Sequence, residues 1–161
     1  MKYIFLAASS FLAILAQMVA GHNFFLFNFL DLSLVLIAYW AMYRSRMQAL
    51  FVGSLTGILL DAVLGWPLGY NGFGKTLAAF TIGQVAKKFN VEEAWIRFAL
   101  IAASSCISSL SIYLLFYLLQ RSSSNLYLGG SLVQAVVTGG VGTLVFAALD
   151  SYNQAHARKA S

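Results

Sequence analysis

A chain of 161 residues that is 60% hydrophobic, 15% aromatic and only 9% charged, with a mean hydropathy of +0.79, has too little polar side-chain area to cover a soluble globule, and it reads as a polytopic membrane protein. Its net charge of +5 does not point to nucleic acid, because the ten Lys and Arg are scattered at segment ends instead of gathered on one face. The single Cys106 sits in an apolar stretch with no His or second Cys nearby, which excludes a disulfide or a thiolate metal site within one chain.

A hydrocarbon core about 30 Å thick calls for apolar runs of about 20 residues, and six can be marked, at about 3–20, 24–43, 47–64, 72–86, 94–120 and 131–149. The first follows Lys2 like a signal peptide. It lacks a good small-x-small cleavage pair, so a retained helix is expected. Connections are brief, and the chain reads as one six-helix transmembrane domain, residues 1–161. Placing the N-terminus inside puts Lys2, Arg44, Arg46, Lys87, Lys88, Arg158 and Lys159 on the cytoplasmic side, with Arg97 just within the following helix. Only Arg121 and the membrane-edge Lys75 fall outside. Both termini are then cytoplasmic and GWPLGYNG is an outer loop.

In the second run Asn28 and Asp31 stand three residues apart, on one helix face, and either can cap the apolar run that ends at Tyr43; a partner or pocket contact is the functional alternative. In the third, Ala49, Gly53, Gly57, Asp61 and Gly65 recur every four residues and give a face with no bulky side chain, along which another helix can approach closely. Asp61 lies near the outer end of that ribbon and must face protein or a water-filled cleft. The turn Trp66, Pro67, Leu68, Gly69, Tyr70, Asn71 then offers backbone N–H groups and a helix N-terminus, both suited to an anion, and Lys75 enters one turn later. An Asp61–Lys75 pair, or an Asp61 cap on this turn, is the structural reading; a proton or ion relay is the alternative.

Ser104, Ser108 and Ser111 share a face of the fifth run, flanked by Ser105 and Ser109, and serve packing or a kink better than a pore. The sixth run carries a second ribbon of small residues, Ser131, Ala135, Gly139, Thr143 and Ala147, suited to close packing within the chain or with a partner. GYNGFG and TGGVG lack the Lys-Ser or Lys-Thr of a phosphate loop. Glu92 and Glu93 are adjacent at a helix start, where the macrodipole favours acids, and Lys87, Lys88 and Arg97 nearby suit anionic headgroups. His22 and His156 fall on opposite sides of the membrane. No metal, cofactor or catalytic acid–base couple is expected.

The run DLSLVLIAYWAMYRSRMQALFVGSLTGILLDAVLGWPLGYNGFGK resembles the central signature of the MreD family of bacterial rod shape-determining membrane proteins. The shared pattern is an Asp-Leu opening an apolar helix, a basic end, a Gly-containing helix closing in Leu-Leu-Asp, and a Pro-Leu-Gly-x-Asn turn. The resemblance implies a bacterial inner-membrane, multi-pass protein acting with the bitopic MreC, alongside MreB, RodA and a class B penicillin-binding protein that builds lateral peptidoglycan. It also implies a compact all-α bundle similar to the substrate-binding subunits of energy-coupling-factor transporters. The expected function is therefore a non-enzymatic subunit that binds MreC and regulates lateral peptidoglycan synthesis. The alternative is a small-molecule-binding or transport subunit with an outward pocket beside Asp61 and Trp66.

Overall fold

The computed structural model describes residues 11–12, 30–89, 91–120 and 128–160. Asn28, His22 and nearly all of the apolar run at about 3–20 lie outside the described residues. Among the described residues there are five helices and no strand: α1 Leu32–Tyr43, α2 Arg46–Leu64, α3 Tyr70–Val85, α4 Ala94–Gln120 and α5 Leu128–Ala160. Their boundaries follow local chemistry. Asp31 caps α1 by accepting from Leu34 N, and Ser45 caps α2 by accepting from Gln48 N. α2 ends at Gly65, whose φ of 67° is the left-handed conformation that favours glycine, and Gly69 precedes α3 with φ 105°.

Consecutive helices α2, α3, α4 and α5 each pack on the next, and α1 touches all four. α1 is thus a central post inside an arc. Its sequence suits that place, because LSLVLIAYWAMY is apolar all round, and Ser33, Leu34, Val35, Ile37, Ala38, Trp40 and Ala41 are all buried. With 12 residues it is about 18 Å long, too short to cross a bilayer alone, and the 16 residues of α3 give about 24 Å. Three segments are long and apolar enough to cross a membrane, Arg46–Leu64, Ala94–Leu119 and Gly130–Ser151. The other expected crossings rest on α1, on α3 and on the run outside the described residues.

Polar groups are inside and large apolar ones outside. Asp31, Asp61, Asn71, Lys75, Arg97, Ser104, Ser108 and Thr138 are buried, whereas Phe51, Phe73, Phe80, Leu110, Leu114, Leu132 and Leu144 are exposed. This is the distribution expected when the surrounding solvent is hydrocarbon.

The α2 ribbon works as its spacing suggests down to Asp61. A Cβ added to Gly57 would lie 2.5 Å from Asn71 O and from the backbone of Gly72, and one on Gly53 would lie 2.9 Å from Lys75 O and 3.3 Å from Ala79 Cβ. The backbones of α2 and α3 therefore touch. Gly65 leaves the ribbon and becomes the helix stop. On α5 the every-four line does not hold its face, since each step of four advances about 40° past a full turn. The buried set is Ala135, Thr138, Gly139, Gly142 and Phe146, with Thr143 half-buried and Ala147 exposed. Gly139 packs on Phe98 and Ala102 of α4, so this part of the ribbon is used within the chain.

The close contact gives a paired expectation. Gly57→Ala forces backbone to move and should lower stability by about 1–3 kcal/mol, the usual cost of overpacking. Gly140→Ala, whose added Cβ meets nothing within 4 Å, should melt like the wild type. Equal thermal midpoints for the two variants in one detergent would contradict the α2–α3 contact.

Candidate functional site

Two polar locks occupy one end of the bundle, where α1 and α3 begin and α2 ends. In the first, the Lys75 ammonium reaches Asp31 Oδ2 at 2.5 Å, with side chains only 1% and 9% exposed. Asp31 also accepts from Ser33 Oγ and, at 3.0 Å, from Leu34 N, while its own N–H donates to Thr138 Oγ1 at 3.1 Å. One carboxylate thus ties the start of α1 to α3, and the adjacent amide ties it to α5. A helix N-terminus buried at this depth needs such partners, because its first N–H groups have none within the helix.

In the second lock Asp61 caps α3 from the end of α2. Its carboxylate accepts from Gly69 N at 2.9 Å, from Asn71 N at 3.1 Å, from Asn71 Nδ2 at 2.8 Å and from Gly72 N at 3.4 Å. These are the unpaired donors of a helix start, and a carboxylate there also meets the positive end of the helix dipole. Asp61 is fully buried. The backbone also closes locally, since Trp66 N donates to Asp61 O at 3.0 Å. Asp61 is therefore the anion that the turn was expected to attract.

Of the two structural readings for Asp61, the cap is what forms, and Lys75 turns to Asp31 instead. Register explains the choice. Gly57 faces Asn71 and Gly72, and Gly53 faces Lys75, so the lysine lies beside a point on α2 eight residues before Asp61, about 12 Å along the helix. Asp31, at the start of the central helix, is the acid at its level. Both acids and the lysine were singled out from sequence, but Ser33 and Thr138 were not; an apolar run with a hydroxyl two residues after a capping Asp is the available signal for Ser33.

The remaining turn residues divide by exposure. Tyr70 is buried, with its ring edge-on to Phe116 at 4.6 Å, and Asn71 is buried against Asp61. Trp66 also meets Phe116 edge-on, at 5.3 Å, yet stays 41% exposed, and Pro67 and Leu68 are exposed beside it. Thr143, on α5, bonds back to Gly139 O at 2.7 Å. Ser111 does the same to Ile107 O, as read for the α4 serines, and Ser104 Oγ is buried without a hydrogen-bond partner.

At the opposite end Arg97, expected near headgroups, is instead buried. Its guanidinium pairs with Asp150 at 2.7 Å, donates from Nε to Val91 O and lies over the Phe146 ring at 5.8 Å. This joins the start of α4 to the end of the apolar part of α5. Lys87 and Lys88 remain exposed. Among the described residues there is no group of three metal-ligating side chains.

The Asp61 lock is open to test. Asp61→Ala strands several amide donors and should cost more than Asp61→Asn, which keeps one acceptor oxygen but turns an NH₂ toward amide donors, at about 1–3 kcal/mol for each group left unsatisfied. The check is thermal unfolding together with hydrogen exchange at Gly69, Asn71 and Gly72, whose amides should lose protection. Unchanged protection in Asp61→Ala would overturn the cap.

No curated protein and no solved structure matches the chain. The family model described as rod shape-determining protein MreD matches residues 1–147, nine-tenths of the 161 residues, a span that includes Asp31, Asp61 and Lys75. The chain belongs to the MreD family of rod shape-determining membrane proteins.

Proposed function

We propose that this protein is a non-enzymatic, multi-pass subunit of the cell-elongation machinery in the bacterial inner membrane. In this reading it crosses six times with both termini cytoplasmic, binds the transmembrane helix of an MreC-like bitopic partner, and through it regulates lateral peptidoglycan synthesis by RodA and a class B penicillin-binding protein. Membership of a rod shape-determining family supports the setting. The observation that carries the binding role is the outer turn. Its backbone is fixed by the Asp61 cap, and on that rigid base Trp66, Pro67 and Leu68 are exposed, with Trp66 braced by Phe116. A preorganised aromatic with one free face is the kind of residue that dominates binding energy at an interface. Tyr70, buried edge-on against Phe116, supports the turn from beneath.

The solute-binding alternative draws less support, because its key group is already engaged. Asp61 accepts from Gly69, Asn71 and Gly72 and has no exposed surface, so a solute would have to displace the cap of α3. A regulatory scaffold needs no free acid or base and uses buried charge to fix shape.

Trp66→Ala should weaken association with the MreC-like protein by about 1–2 kcal/mol, roughly tenfold in Kd, and cells carrying it should lose rod shape. Affinity measured in detergent or nanodiscs, beside cell width, checks this. Normal affinity and normal width, with loss of a solute that co-purifies with the wild type, would sink the scaffold reading.

A further inference from the structure

At the basic end of the bundle α1 and α5 enclose a half-open cleft of about 240 Å³, lined by Tyr39, Tyr43, Arg44, Phe146, Leu149 and Asp150. Its depth is set by composition. α1 ends at Tyr43, and the apolar stretch of α5 ends at Ser151, so the cleft lies where helices leave hydrocarbon. One wall holds Arg44, exposed, with its guanidinium over the Trp40 ring at 5.8 Å. The other wall holds Asp150, which gives Oδ2 to Arg97 yet keeps its side chain 38% exposed. Between them the rings of Tyr39, Tyr43 and Phe146 cluster, with centroids 5.5–6.2 Å apart.

We propose that this cleft binds a phospholipid headgroup that carries a primary ammonium beside its phosphodiester, the phosphatidylethanolamine type. The guanidinium takes the phosphodiester with two parallel hydrogen bonds. The ammonium donates to the exposed part of the Asp150 carboxylate, next to aromatic faces that attract a cation. Leu149, 41% exposed, and the exposed Val145 and Leu144 beyond it continue the cleft along α5 toward hydrocarbon and give the acyl chains a path. The opposed charges decide among lipids. A phosphatidylglycerol headgroup offers Asp150 only neutral hydroxyls and no cation, and a choline headgroup has no N–H to donate to it.

The test is native mass spectrometry of the full-length protein with phosphatidylethanolamine, phosphatidylcholine and phosphatidylglycerol of identical acyl chains. The wild type should retain the ethanolamine lipid about tenfold better than either other, the discrimination worth one charge-assisted hydrogen bond. Arg44→Gln, an exposed change outside the two locks, should abolish that retention without moving the melting temperature. Asp150→Asn should erase the preference over phosphatidylglycerol, and Arg97→Lys, which keeps a cation on Asp150, should preserve it. Equal retention of the three lipids, or retention by Arg44→Gln at the wild-type level, overturns the proposal. So does stabilisation by free O-phosphoethanolamine as large as that by the lipid, which would make the cleft a site for a soluble phosphate.

Discussion

A lysine ammonium and an aspartate carboxylate held in a nearly solvent-free interior constrain everything around them. Removing Lys75 and Asp31 from water carries a desolvation cost of several kcal/mol per ion, and their mutual attraction offsets it only with short, well-satisfied geometry. Asp31 obtains that geometry by serving three functions at once: ion-pair partner of α3, N-cap of α1, and neighbour of the Thr138 hydroxyl on α5. The central helix can therefore begin inside the bundle. The pair fixes where that helix starts, since a start elsewhere would leave Lys75 buried alone.

The second lock depends on the same register. Glycines at positions 53 and 57 bring α2 and α3 into backbone contact, and that contact places Lys75 opposite Gly53 and the start of α3 opposite Gly57 and Asp61. With the register fixed, Asp61 meets the open amides at the start of α3 and Lys75 points to α1. Packing thus chooses the electrostatic partners. Charge complementarity alone would allow either acid to pair with the lysine. At the far end Arg97 and Asp150 repeat the device between α4 and α5, so both ends of the bundle are closed by buried or half-buried ion pairs while its outer faces stay apolar. The same locks leave Trp66 exposed on a turn whose backbone the Asp61 cap holds.

Much of this was legible in the sequence because membrane folds obey strong constraints. The five described helices overlap apolar runs marked in the sequence, and a cap was one of the two structural readings left open for Asp61 by a carboxylate preceding a turn that opens a helix. The Gly53–Gly57 contact followed from spacing. The identity of Lys75's partner did not, because it is set by a long-range register between α2 and α3 and by the depth of α1, neither of which a local pattern encodes. The drift of the α5 ribbon was missed for a different reason: Thr143 and Ala147 are small, but an interval of four departs from the helical repeat, and Gly142 and Phe146 take their places against the core. Arg97 looked like a surface cation because its partner Asp150 lies more than fifty residues away in the chain.

The pairing of Asp31 with Lys75 is measured most directly by a double-mutant cycle with Asp31→Asn, Lys75→Met and the two combined, followed by unfolding in one detergent. Each single change leaves an uncompensated buried charge and should cost about 3–5 kcal/mol. The combination should cost less than the sum by about 1–3 kcal/mol, because neither charge is then stranded. Single variants as stable as the wild type, or losses that simply add, would contradict the buried ion pair as the interaction on which the fold rests.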